Sequence, residues 1–178
     1  MKIPKMLNSK EIFSGNIVKV KQDTVLLDEK DEYSFDIIEH PGGVAIIPVL
    51  DNGNIVLIKQ YRHPFRTHLI EVPAGRLNIG EDPIKAAIRE LKEETGYIAG
   101  NIDLICCIYP SPAIFNEKIY LYKATDLTAS YTEFDYGENI ESLIVSLEEA
   151  HIMIKNGRIH DAKTIIAINS LLIKDIDE

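Results

Sequence analysis

The chain contains no tryptophan, only two cysteines and 7% aromatic residues in 178 positions. The cysteines, Cys106 and Cys107, are adjacent, and a disulfide framework needs spaced partners. They read as structural thiols in a buried strand, Leu104 to Tyr109, of a protein kept in a reducing cytoplasm. No apolar run approaches the roughly 18 residues of a membrane-spanning helix. The first residues, Met1 to Asn8, lack the apolar stretch of a signal peptide. No internal repeat, low-complexity tract or linker interrupts the chain.

Positive charge is also scarce. Lysine and arginine number 19 against 28 aspartates and glutamates, a net charge of −9. Such a balance disfavours broad contact with a nucleic-acid backbone. It leaves room for a small phosphorylated ligand, provided arginines or a bound cation supply positive charge locally.

The composition is 46% hydrophobic and 26% charged, which fits a soluble globular protein. The length fits one domain, or one domain with a small appendage. Short strands are expected over Ile12 to Lys21, Thr24 to Leu27 and Ser34 to Glu39, with a turn at Asp28 to Glu32. His40-Pro41-Gly42-Gly43 then breaks the pattern and separates an N-terminal β extension, residues 1–40, from a main body, residues 41–178. Val44 to Leu50 and Ile55 to Ile58 flank Asp51-Asn52-Gly53-Asn54, a hairpin signal because Asn and Gly tolerate positive φ. Further strands are expected at Ile102 to Tyr109, Lys118 to Ala124 and Ser142 to Ser146. Helices are expected at Pro83 to Thr95, Leu147 to Asn156 and Asp161 to Leu172. Strands outnumber helices without regular alternation, so a mixed α/β (α+β) sheet with helices packed on it is the expected class.

The first of these helices is the most informative. Asp82 suits its N-cap, Pro83 its first position and Gly96 its left-handed C-cap. At about 100° per residue, Ile84, Ala87, Ile88, Leu91 and Thr95 share one face, and Glu90, Glu93 and Glu94 share another. Like charges one turn apart repel. Arg89 can offset Glu93, which leaves Glu90 and Glu94 as an uncompensated pair. Such a face is either solvated or an oxygen site for a hard dication such as Mg2+, with Mn2+ as a substitute. The Pro73-Ala74-Gly75 loop before the helix favours the second, since a backbone carbonyl there can face the same space.

The pattern Gly-x5-Glu-x7-Arg-Glu-Leu-x-Glu-Glu-x-Gly-Tyr is filled by Gly75, Glu81, Arg89, Glu90, Leu91, Glu93, Glu94, Gly96 and Tyr97. It resembles the signature box of the Nudix hydrolases, enzymes that cleave a nucleoside diphosphate linked to another group. The resemblance implies an α/β/α sandwich with a small antiparallel N-terminal sheet. It implies that Glu90, Glu93 and Glu94 hold Mg2+ together with the Ala74 carbonyl, and that Glu81 and Arg89 fix the loop against the helix. Pro112, 16 residues after Gly96, and the segments Lys59-Gln60-Tyr61-Arg62 and Ile70-Glu71-Val72-Pro73-Ala74-Gly75 resemble the ADP-ribose pyrophosphatase branch.

That branch implies hydrolysis of ADP-ribose to AMP and ribose 5-phosphate, with a nucleotide sugar or dinucleotide as alternative substrates and nucleotide sensing as a non-catalytic alternative. Arg62, whose fork of donors suits a diphosphate, is the expected phosphate clamp. Glu71 and Pro112 complete the expected substrate contacts. The acidic segment Phe134 to Glu141 resembles a loop that brings a glutamate to the metals as general base. Glu138 is the first choice and Glu141 the reserve, with Glu93 counted in both the metal and catalytic sets. With no tryptophan, Tyr33 or Phe35 is left as the adenine platform. The five histidines, His63 and His68 included, show no zinc spacing. The N-terminal strands and last helix point to a homodimer, and in the ADP-ribose branch the N-terminal extension commonly crosses to the partner.

Overall fold

The computed structural model describes residues 3–28, 30–132 and 140–174. Its contacts divide the chain into two units, Met1–Gly42 with Tyr109–Lys118, and Gly43–Ile108 with Ile119–Glu178. The first cut falls at the His40 to Gly43 break. The segment Tyr109–Lys118 groups with the first unit.

The first unit is an antiparallel sheet of β1 (Lys5–Ser14), β2 (Lys19–Leu27) and β3 (Asp31–Glu39), in that order. A single strand over Ile12 to Lys21 was expected. Instead the chain reverses after Ser14, and Gly15 N–H donates to the Val18 carbonyl at 2.9 Å. Gly15-Asn16 is turn chemistry that the apolar alternation hid. The segment 109–118 lies along β3, with Ile38 N–H donating to the Ile114 carbonyl at 2.7 Å and Asn116 N–H to the Ile38 carbonyl at 3.2 Å. The His40 backbone N–H also donates to Asn116 Oδ1 at 2.8 Å.

The second unit has two sheets. Strands β4 (Gly43–Pro48), β7 (Ala74–Arg76), β8 (Tyr97–Ile108) and β9 (Ile119–Ala129) form one, ordered β7-β4-β9-β8. It is mixed, because β4 runs parallel to β9 and antiparallel to β7. The other joins β10 (Ile140–Val145), β5 (Ile55–Arg62) and β6 (Thr67–Glu71), all antiparallel. Neither β6 nor β7 was expected as a strand; Pro73 between them interrupts the pairing. Helices α1 (Pro83–Thr95), α2 (Leu147–Lys155) and α3 (Ala162–Lys174) complete the unit. Among the described residues no helix is long and apolar enough to cross a membrane.

Strand β4 explains the layering. Its side chains alternate between faces, and all are buried. Val44 and Ile46 pack with Ala86, Ala87 and Leu91 of α1. Ala45 and Ile47 pack with Leu57 of β5, Met153 of α2 and Ile168 of α3. A strand covered on both faces reads as a continuous apolar run, which Val44 to Ile47 is. The result is helix, sheet and helix in layers.

One sequence expectation about α1 fails. Ile84 and Ile88 were placed on its packed face, yet they are 40% and 47% exposed. The buried residues are Ala86, Ala87, Leu91, Glu94 and Thr95. The helix is turned so that its buried stripe centres on Ala87 and Glu94, and a carboxylate displaces an isoleucine from the interior. Its ends follow expectation. Asp82 accepts from Ile84 N–H at 3.0 Å, and Gly96 caps the other end at φ 70° with its N–H on the Lys92 carbonyl. Asp82→Ala should therefore cost about 1 kcal/mol. The check is a lower urea midpoint with an unchanged m value.

Candidate active site

The site is built on α1 and the turn that precedes it. Ala74 N–H donates to Glu94 Oε2 at 2.8 Å, and Glu94 is 2% exposed. A buried carboxylate is costly unless hydrogen-bonded, and this bond ties the helix to β7. Gly75 follows, and a Cβ there would fall 1.9 Å from Glu90 Cδ. Only glycine lets the Glu90 carboxyl lie against that backbone.

Arg89 organises the rest. Its Nη1 lies 2.7 Å from Glu90 Oε1 and 2.8 Å from Glu93 Oε2. Its Nε donates to Glu81 Oε1 at 3.1 Å, and Nη2 lies 3.3 Å from Glu81 Oε2. Glu81 also accepts from Asn78 N–H at 2.9 Å. Thus Arg89 offsets Glu90 as well as Glu93, and the Glu90–Glu94 pair is not left uncompensated as the sequence suggested. Hydrogen bonds from Arg89 and Asn78 hold the Glu81 carboxyl below the ordinary carboxylate range. Burial pulls the Arg89 guanidinium down, but its three carboxylate partners outweigh this and raise it.

A second charged group lies on the β5–β6 sheet. Arg62 Nε and Nη2 donate to Glu71 Oε1 and Oε2 at 2.7 and 2.9 Å, a bidentate pair. The Glu71 carboxylate is 2% exposed. Burial pushes its pKa up, but Arg62 and Lys163 more than reverse this, so the net shift is downward. The Arg62 guanidinium is raised by its hydrogen bonds to Glu71, and it also feels the charges of Glu94 and Asp161.

Lys163 and Asp161 were not singled out in the sequence. Lys163 Nζ donates to Glu71 Oε2 at 2.5 Å and to Asp161 Oδ1 at 2.9 Å. The signal that could have found them is Asp161-Ala162-Lys163-Thr164 at a helix start, where an N-cap aspartate, a lysine and a threonine crowd one turn. Beside this turn is a cavity of about 580 Å³ lined by Phe65, Thr67, Leu69, His160, Asp161 and Ala162. Glu90, Glu93 and Glu94 do not line it.

The remaining expected residues are dispersed. Glu141 pairs with Lys59 across β10 and β5, with Lys59 Nζ donating to its carboxylate at 3.3 Å. Alternation along β5 puts Lys59 on the face opposite Arg62, so Glu141 is not brought to Arg62. Glu138 lies outside the described residues. Pro112 falls in the segment grouped with the N-terminal sheet. Tyr33 and Phe35 pack edge to face, ring centres 4.8 Å apart, in β3. His63 and His68 both lie edge-on to Tyr61.

Among the described residues, no group of three or more His, Cys, Asp or Glu side chains is disposed to hold an ion unaided. The donor set still fits Mg2+. That ion takes one or two carboxylates and completes its shell with water and substrate phosphates. Glu90 and Glu93, already gathered on one cation by Arg89, offer such a pair.

The comparisons agree with this architecture. The NUDIX domain model matches residues 39–167, and the chain belongs to the NUDIX family. It is 36% identical over 173 residues to the ADP-ribose pyrophosphatase of Bacillus subtilis, covering 96% of this chain and 94% of that one. It is 37% identical, with the same coverage, to the methanol dehydrogenase activator of Bacillus methanolicus. Among solved structures, an ADP compounds hydrolase superposes with a TM-score of 0.85 at 21% identity, covering 96% of this chain and 93% of that one. At that identity the match speaks for the fold.

A prediction on stability follows from Glu71. Its folded pKa lies below the unfolded value, so its contribution is present above about pH 4.5 and is lost as pH falls through the folded pKa. Glu71→Gln should lose about 2–4 kcal/mol at neutral pH, less than a fully buried pair because Arg62 is partly exposed. Its urea midpoint should also fall less steeply below pH 4.5 than the parent's. An equally steep acid dependence in both proteins would count against this assignment.

Proposed function

We propose that the protein hydrolyses the diphosphate of ADP-ribose to AMP and ribose 5-phosphate with Mg2+. The observation that carries this reading is the gathering of Glu90 and Glu93 on Arg89, with Glu94 held by Ala74 N–H and Glu90 lying against Gly75. It sets three carboxylates beside one backbone turn, a face hostile to a diphosphate unless a divalent cation intervenes. The similarity to an ADP-ribose pyrophosphatase along nearly the whole of both chains supports the substrate.

Glu90, Glu93 and Glu94 would hold the ion, with the Ala74 carbonyl beside them. When bound, the ion offsets the diphosphate's charge and acidifies the attacking water. Arg62 directs Nε and Nη2 to Glu71, and we assign Nη1 to a phosphate oxygen, where it offsets charge alike in the bound substrate and in the transition state. Arg89 and Glu81 keep the carboxylates in place. Glu138 takes the proton from water. Its role is supported by the described residues on either side. Ser130 N–H donates to the Gly96 carbonyl at 2.6 Å, Lys92 lies over the Tyr131 ring at 4.6 Å, and Ile140 pairs with Gln60. Both flanks thus adjoin α1 or β5.

We also propose a cytoplasmic homodimer formed through the N-terminal extension. Strand β1 is exposed along its whole length, and Met6, Leu7, Ile12 and Phe13 are each more than 40% exposed. An exposed apolar edge strand invites pairing with another chain. A second reading of function comes from the similarity to the methanol dehydrogenase activator. It is tested by adding the protein to a methanol dehydrogenase assay.

The main test is a panel of ADP-ribose, nucleotide sugars and dinucleotides, with products identified. ADP-ribose should give the highest kcat/KM, chelation should abolish turnover, and Mg2+ or Mn2+ should restore it. Binding of ADP-ribose without turnover under either metal would refute the enzymatic reading. Glu90→Gln and Glu94→Gln should each lose most turnover while remaining folded by circular dichroism. Glu138→Gln should lower kcat by roughly 10²–10⁴-fold with KM largely kept, the usual worth of a general base. Equilibrium sedimentation should show a dimer at micromolar concentration, and removal of residues 1–14 should give a monomer.

A further inference from the structure

Glu71 is gripped from two sides. Arg62 comes from its own sheet, and Lys163 comes from α3, 92 positions along the chain. The Lys163 side chain is only 13% exposed. Its other carboxylate partner, Asp161, accepts from Thr164 N–H at 3.0 Å and from Thr164 Oγ1 at 2.6 Å. Thr164 Oγ1 in turn accepts from Val72 N–H at 2.8 Å. The first turn of α3 therefore holds both the Glu71 carboxylate and the peptide that follows it.

The geometry has a consequence for Arg62. A carboxylate bonded only by a guanidinium can rotate with it, and the pair is electrically closed. A third donor at Oε2 fixes the plane of the carboxylate, and so the plane of the fork that matches it. The second cation also shares the carboxylate's charge, so Arg62 is less fully neutralised by Glu71. Asp161 makes its hydrogen bonds to Lys163 and Thr164.

We propose that Lys163 is a positioning residue for the anion clamp, holding Glu71 from α3 so that Arg62 meets the diphosphate at a fixed angle. The inference rests on the reading of Arg62 as the clamp, and wild-type turnover of ADP-ribose is the separate check on substrate.

The experiment is steady-state kinetics of the full chain with ADP-ribose at saturating Mg2+, with Tm measured alongside. Arg62→Ala and Lys163→Met should each raise KM roughly tenfold, the scale of one charge-assisted hydrogen bond, with kcat within about twofold. The double variant should be no worse in KM than Arg62→Ala alone, because Lys163 acts through Arg62. Lys163→Arg should recover most of the affinity. Lys163→Gln, uncharged but still a donor, is the second variant should the methionine not fold. Thr164→Val unpairs Val72 N–H without touching Glu71, so it should lower Tm and leave KM unchanged. A raised KM in Arg62→Ala with none in either uncharged Lys163 variant overturns the role of Lys163 and leaves the clamp standing. An unchanged KM in Arg62→Ala overturns the clamp and this inference together. Multiplying effects in the double variant, or a KM in Thr164→Val that rises in step with its loss of Tm, reduces Lys163 to a structural residue.

Discussion

One hydrogen bond sets the geometry of this protein, that from Ala74 N–H to the buried carboxylate of Glu94. Burying that carboxylate turns α1 away from the orientation its isoleucines favour. Ile84 and Ile88 are left half-exposed while Ala86 and Ala87 go under the helix. The same rotation lays Glu90 against Gly75, where a side chain would collide with it. Apolar burial is given up for the placement of charge, which is the usual mark of a site on an otherwise consistent fold.

Charge is then handled by two separate networks. Arg89 sits among Glu81, Glu90 and Glu93, and Arg62 and Lys163 alternate with Glu71 and Asp161. In a chain of net charge −9, an anion approaches against the overall field. Binding must depend on where the few cations are held. Both networks place arginine against carboxylate in or near the interior, where partners cost more to lose than they contribute in water.

The acidic helix was legible because its determinants are local. A fixed spacing, an N-cap aspartate, a proline and a closing glycine lie within one short stretch, and helical geometry turns that spacing into a face. The β4 run was legible for a similar reason, since a strand covered on both sides needs no polar alternation. The Gly15 turn was hidden because apolar residues on both of its flanks mimic one long strand. Strands β6 and β7 were hidden because a proline and polar residues interrupt them, and their pairing is set by β5 and β4 elsewhere in the chain. Glu71 could be suspected as buried from Ile70 and Val72 on either side, but Lys163 could not be assigned to it. Nothing in a sequence measures the distance between residues 92 apart.

The sequence by itself determined the elements whose cause is local: the capped helix, the spacing of its three glutamates, the apolar strand and the family they define. Only the tertiary structure decided which way α1 faces, that Arg89 reaches Glu90 as well as Glu93, that Glu141 and Arg62 lie on opposite faces of a sheet, and that α3 holds Glu71. The physical reason is that helical period and turn chemistry act over a few residues. Burial and charge pairing act through space, and they are settled only when distant segments compete for the same interior.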